Sequence, residues 1–281
     1  MRPILLLPIL TLCAAAPAAS QAILVPVRCK GDCPAAGALP RALPADTARV
    51  WAQVERGMAT TSVHHTFRNE TGGVIDGALF FPLPADAEIL HVVVYPDSGE
   101  LTQYDEWNGD DESRWILEGM ARERPRSGLR AYLGRRVLHA PVLDIPARGR
   151  MTVRIEYTQR LRETGEGLAY TYPLSAGGDA PPIGGLSLGL QIRTEAGFRA
   201  VSSPSHDVSL GWGSESVRCP PTHRCGYRGA TSQRIRVVRM RGGRETRRKD
   251  FHLVYVPTPP GAPDAVSAPR DSYRLDVSER P

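Results

Sequence analysis

The sequence predicts an all-β fold, an antiparallel β-sandwich carrying one short helical insertion. Three observations predict it. From Val50 onward, apolar and polar residues alternate with period two in run after run, the pattern of strands with one buried face. Turn formers abound, 25 prolines and 27 glycines in 281 residues, while 41% of the chain is hydrophobic and able to fill a core. That balance favours many turns and little helix. One segment alone, Asp110 to Leu133, breaks the alternation.

Taken in order, the chain opens with Met1-Arg2, an apolar run from Ile4 to Ala16 and the small residues Ala18-Ala19-Ser20-Gln21-Ala22. The run is too short to span a bilayer, and the pattern predicts a secretory signal over residues 1–22 with cleavage after Ala22 or a few residues earlier. Cys13 raises the alternative of a lipoprotein, but Leu12 stands where such signals carry a small residue. Residues 23–47 show no period and hold Cys29 and Cys33, so they read as a tethered N-terminal loop. With Cys219 and Cys225, four cysteines remain after cleavage. An even count in an oxidising compartment predicts two disulfides. Short spacing favours Cys29 with Cys33 and Cys219 with Cys225; two other pairings stay open, as does a zinc site.

Strands follow at Val50 to Glu55, Thr61 to Phe67, Gly77 to Phe81, Ile89 to Tyr95, Met151 to Tyr157 and Leu186 to Ile192. Their ends carry turn residues such as Gly72-Gly73, Pro82 and Gly149. The exception, Asp110 to Leu133, predicts a short helix or two divided at Pro125. Gln233 to Met240 and Asp250 to Val256 flank Gly242-Gly243, which predicts a hairpin with a long arginine-rich tip. After Pro257 the chain is Pro-rich and reads as a linker. One domain is the default for this pattern.

Asn69 followed by Phe81-Pro82-Leu83-Pro84, and Tyr132 after the charged segment, resemble the asparagine, Phe-Pro-Leu-Pro and tyrosine blocks of the vault protein inter-alpha-trypsin (VIT) domain family. Ile145-Pro146, then an alternating strand ending at Tyr157, is similar to its Ile-Pro-Pro-Gly block and following strand. Ser203-Pro204-Ser205-His206-Asp207-Val208 resembles Ser-Pro-Thr-His-Asp-Val, and Lys249-Asp250-Phe251-His252-Leu253 resembles Arg-Asp-Phe-Val-Leu. Their order across residues 48–256 makes the likeness specific. It implies a VIT-type sandwich over 48–256 acting by protein contact, with these blocks as fold determinants and no catalytic residue to carry over. The tail, 257–281, resembles a degraded opening of the von Willebrand factor A domain that commonly follows. Asp276 and Ser278 match its metal motif, but Arg280 replaces the second serine, so no metal site is assigned.

Other constellations carry less. Ser203, Ser205, His206 and Asp207 are too close in sequence to align nucleophile, base and acid, and no Gly-x-Ser-x-Gly elbow occurs. His64 and His65 must face opposite sides of a strand, His65 sharing the apolar phase; His139 and His223 read as surface residues. Asp105, Glu106, Asp110, Asp111 and Glu112 match no calcium loop and read as a solvated acidic loop. Arg234, Arg236, Arg239, Arg241, Arg244, Arg247, Arg248 and Lys249 form the sharpest charge feature. They read first as the solvent face of the hairpin and second as a contact for polyanionic glycans or acidic lipids. A net charge of +5, scattered along the chain, points to solubility rather than to nucleic acid, and no aromatic stacking pattern accompanies the arginines. The expectation is an exported, non-catalytic protein–protein interaction module of the cell envelope or extracellular space. It needs no cofactor, meets the membrane only through its signal, and has an unnamed protein partner. The alternative is a polyanion-binding surface protein, and a hydrolase comes third.

Overall fold

The computed structural model describes residues 22–35, 39–43, 45–96, 102–104, 107, 109–174, 183–194, 197–213, 234–242 and 249–258. Strict alternation becomes strict one-sided burial in β2 (Ala45–Glu55), β3 (Met58–Arg68) and β8 (Arg150–Arg160), where every second residue is buried along most of the strand. Arg56 (φ 51°) and Gly57 (φ 77°) join β2 to β3. Two positive φ angles make the type I′ turn that matches strand twist. Beyond β8 lie β5 (Glu88–Pro96) and β6 (Thr102–Tyr104). Beyond β2 lie β11 (Ile183–Thr194), β14 (Arg234–Gly242) and β13 (Ser209–Gly213), giving eight strands ordered β13-β14-β11-β2-β3-β8-β5-β6.

The fold is all-β and sandwich-like with a helical insertion, as the alternation predicts. Its pairings among described strands are antiparallel with one exception, β2 with β11. A parallel neighbour needs a long crossover; here the whole chain from β3 to β10 supplies it. The pairing lets Leu186, Leu188, Leu190 and Ile192 continue the buried row of Ala48, Val50, Ala52 and Val54.

Two smaller sheets close the other side of the core. One holds β1 (Ile23–Gly31), β4 (Gly73–Pro82) and β7 (Val137–Ile145); the other holds β12 (Phe198–Ser202), β15 (Phe251–Pro257), β10 (Gly167–Tyr172) and β9 (Arg162–Thr164). Phe81, Leu138 and Ile145 from the first and Tyr170, Phe251 and Leu253 from the second meet Val63, Ile155 and Leu190 of the large sheet in one cluster. Behind the first small sheet, α1 (Asp110–Glu123) and a 3-10 turn (Leu129–Tyr132) bury Leu117, Leu129 and Tyr132 against Ile23, Val25 and Phe80. Both faces of β4 are thereby covered, which explains its nearly unbroken apolar sequence.

Two expectations are corrected. Residues 23–31 are not loop but strand: β1 pairs with β4 from Ile23 opposite Phe80 to Gly31 opposite Gly73. Nor do β14 and β15 form a hairpin. β14 pairs with β11 and β13 in the large sheet, β15 with β10 and β12 in the opposite layer. Val238 and Met240 of β14 and Phe251, Leu253 and Tyr255 of β15 are all buried in the same core, so the two strands face each other across it instead of lying side by side.

Candidate functional site

The family-like blocks come together as brackets between loops and strands. Asn69, fully buried, donates from Nδ2 to the carbonyls of Gly73 and Pro146 at 2.9 Å each and reaches that of Ile145 at 3.3 Å. Its Oδ1 accepts from the Thr71 N–H at 3.0 Å and the Thr71 hydroxyl at 2.8 Å. One amide thus ties the loop before β4 to the loop after β7. Phe81 is fully buried at the end of β4, Pro82 closes the strand, and Leu83 donates its N–H to the Arg136 carbonyl at 2.9 Å while Pro84 leads outward. Tyr132 and Tyr157 are fully buried, one in each core cluster.

The second bracket joins the Ser-Pro-Ser-His block to the start of β15. Ser203 Oγ donates to the His252 carbonyl at 2.7 Å, Ser205 Oγ accepts the His252 N–H at 2.8 Å, and the His206 ring packs 5.7 Å from that of Phe251. His206 Nδ1 and Ser205 Oγ are 2.8 Å apart. Pro204 stands exposed at the tip of the turn. Asp250 accepts the Leu174 N–H at 3.0 Å. Ser203 and Ser205 therefore hold backbone, and the geometry is that of a clamp.

Cys29 and Cys33 are disulfide-bonded. The bridge rests on Gly73, where a Cβ would come within 2.6 Å of the Cys29 Sγ. Cys219 and Cys225 lie outside the described residues, as do Arg244, Arg247 and Arg248. Beside the bridge, Lys30 pairs with Asp76 at 3.0 Å and Asp144 at 2.9 Å. Burial works against the Asp76 carboxylate, yet the Asp144 N–H and Lys30 hold its pKa below the ordinary value.

His65 is buried between Phe67 and Phe81, its ring centroid 6.0 Å from each. Burial, aided by His64, pushes its pKa down to about 3, so it stays neutral. His139 corrects a surface expectation: it is buried against Phe80 at 5.0 Å, and desolvation lowers its pKa. The acidic group Asp110, Asp111 and Glu112 forms the first turn of α1, where the helix dipole favours negative charge, and Asp110 pairs with Arg136 at 2.9 Å. Among the described residues no group of three or more His, Cys, Asp and Glu side chains is arranged to hold a metal ion.

Two solvent surfaces remain. The first is the outer face of the large sheet. Register aligns Arg49, His64 and Arg154 on adjacent strands, and in the next row Arg239, Gly189, Trp51, Ser62 and Glu156. A Cβ on Gly189 would overlap the benzo edge of the Trp51 indole; the missing side chain lets a 36% exposed tryptophan lie on the sheet. Burial first, and then Arg154 and Arg49, lower the pKa of His64. Of the arginines predicted for a hairpin tip, Arg239 is exposed on this face, Arg241 stands opposite Ser187, and Arg236 and Arg234 stand opposite Ile192 and Thr194. Lys249 is exposed before β15, in the other layer. Arg239 and Lys249 thus belong to different layers. The cationic row built from Arg49 and Arg154 was hidden because its members lie about 100 residues apart and meet only through strand order. An isolated glycine in a strand pattern, Gly189, was the available signal of a close approach.

The second surface is a cleft of about 740 Å³ at one end of the sandwich. It lies where the β2–β3 turn, the β8–β9 junction and the ends of β11 and β15 converge. The Leu161 N–H, bonded to the Gly57 carbonyl at 2.8 Å, pins two of these together.

No family model matches the chain, and no curated protein does. Among solved structures it is similar to a Legionella pneumophila protein described as nutrient binding, at 11% identity and TM-score 0.40 over 84% of this chain and 72% of that one. It is also similar to an M1 zinc metallopeptidase variant from Deinococcus radiodurans, at 10% identity and TM-score 0.35 over 75% of this chain and 42% of that one. A two-domain M1 zinc metallopeptidase variant bound to L-tryptophan matches at 8% and TM-score 0.36, over 76% and 43% respectively. Likenesses at that level carry no argument about what this chain does.

Proposed function

We propose that the chain is an exported, non-catalytic protein–protein interaction module of the cell envelope or extracellular space, similar to the VIT domain, and that it makes contact through the outer face of the large sheet. The observation that carries the reading is Trp51 laid over Gly189 in the middle of a broad polar strand surface. Tryptophan is among the residue types enriched at the energetic centres of protein contacts. The family-like blocks support it from the other side, since Asn69, Ser203, Ser205 and Asp250 all bond to backbone and so serve the scaffold. The Arg49–His64–Arg154 row favours a second reading, a polyanion-binding face.

Retention of the exported protein on the envelope fraction of its producing cells separates the two. On the first reading, Trp51→Ala melts like the parent but loses retention, and protease treatment of the fraction abolishes binding. Retention that survives protease and falls steeply with salt supports the polyanion reading instead. Retention indifferent to Trp51 contradicts the proposed face.

A further inference from the structure

The end cleft combines charge, an apolar floor and a strand edge that no other described strand pairs. Its rim carries four guanidinium groups, Arg56, Arg160, Arg162 and Arg193, against two carboxylates, Glu55 and Glu163. Glu55 lies 4.0 Å from Arg56. The floor is formed by the buried Leu161 and Tyr255 with the half-buried Leu168. Burial raises the pKa of Tyr255 and keeps its phenol a neutral donor.

One wall is β9, the edge strand of its sheet among the described strands, with all three residues exposed. The β9–β10 hairpin closes with Thr164 opposite Gly167 across a two-residue turn, and Glu163 stands opposite Leu168. The closing pair of such a hairpin is hydrogen-bonded, so the next pair is not. The backbone N–H and C=O of Glu163 consequently point away from β10, toward an incoming chain.

We infer that this cleft takes an extended acidic peptide segment, which adds to the β9 edge at Glu163 and sets its carboxylates among Arg160, Arg162 and Arg193. Edge pairing supplies affinity without sequence preference, and alternate side chains supply selectivity. An extended chain projects every second residue to the same side, so acidic residues alternating with apolar ones meet both rim and floor. Arginine suits the task because its fork holds a carboxylate through two bonds. This inference rests on the protein-contact reading of the module and adds a partner class to it.

The test uses the full exported chain and a fluorescent peptide of alternating glutamate and valine, read by anisotropy. The wild type is expected to bind it and to reject the lysine–valine counterpart. The double variant Arg160→Gln with Arg162→Gln should weaken binding at least about tenfold. Glu163→Gln, which removes a repelling charge, should tighten it. Glu163→Pro removes the same charge together with the outward N–H, at an edge where proline is tolerated, and should weaken it. Melting curves establish that each variant is folded, and an unfolded proline variant is replaced by N-methylation of the peptide bond donors on the probe, which should weaken binding equally. Tightening by both Glu163 variants alike, no binding of the acidic peptide, or equal binding of the basic one overturns the inference. If that occurs while retention still depends on Trp51, the cleft assignment fails alone and the module reading stands.

Discussion

Replacing Asn69 by alanine removes an amide that no neighbouring side chain duplicates. Its two Nδ2 hydrogens serve the Gly73 and Pro146 carbonyls at 2.9 Å, with Ile145 a longer third, and Oδ1 takes the Thr71 N–H at 3.0 Å. Partial compensation exists: Pro146 O also accepts the Gly149 N–H at 3.1 Å, and the Thr71 hydroxyl, released from Oδ1, can turn its one proton to Gly73 O at 3.1 Å. The Thr71 N–H loses its acceptor, and two carbonyls lose a donor. At about 1–3 kcal/mol for a buried group left short, of which the Thr71 N–H alone has no substitute partner here, Asn69→Ala should cost about 2 kcal/mol. Urea denaturation with the slope held constant measures it. Asn69→Asp sharpens the test, since a carboxylate would face carbonyl oxygens in a buried site. Its folded pKa would rise above the unfolded value, so the native state would bind more protons and stability would fall as pH rises through the carboxylate range. The aspartate variant should therefore be less damaged at pH 4 than at pH 7. A loss below about 1 kcal/mol for alanine, or no pH dependence for aspartate, would refute the bracket.

Phe81→Ala should cost about 3–5 kcal/mol and Leu83→Ala about 2–4 kcal/mol by denaturant unfolding, because both side chains are buried; variants that melt like the parent would make the block a contact surface. His65, with a folded pKa of about 3, leaves the unfolded state binding one more proton between its ordinary pKa and that value. Stability should therefore fall as pH drops below about 6.5, by up to about 1.4 kcal/mol per unit from this group, and His65→Leu should flatten that part of the profile. Breaking the short Cys29–Cys33 loop by a double alanine change should cost about 2 kcal/mol. Non-reducing peptide mapping should join Cys219 to Cys225; a free thiol or bound zinc there would overturn that pairing.

What was legible in the sequence follows from how many faces each strand buries. β2, β3 and β8 bury one face and announce it by alternation. β1, with four buried residues in succession and a proline within it, is covered on both faces where it enters and has no period to read. His139 sits in the same kind of run, Val137 to Ala140 of β7, so nothing local marks it as buried. β14 and β15 were each recognisable, but alternation states only that a strand has a core side. Val238 and Phe251 would satisfy that pattern equally as neighbours in one sheet or as opposed layers, and Gly242-Gly243 favoured the wrong one. The Trp51–Gly189 contact depends on the parallel β2–β11 pairing, a long-range choice that no local turn encodes.

The most direct measurement is site-specific photocrosslinking in the producing cells, with the reactive residue at Gln53 beside Trp51 on the outer face, and at Glu166 in the β9–β10 turn as the comparison. A discrete protein adduct is expected from Gln53, one that disappears with Trp51→Ala, whether or not Glu166 also yields one through the cleft. No adduct from Gln53, or one that survives loss of Trp51, would contradict it.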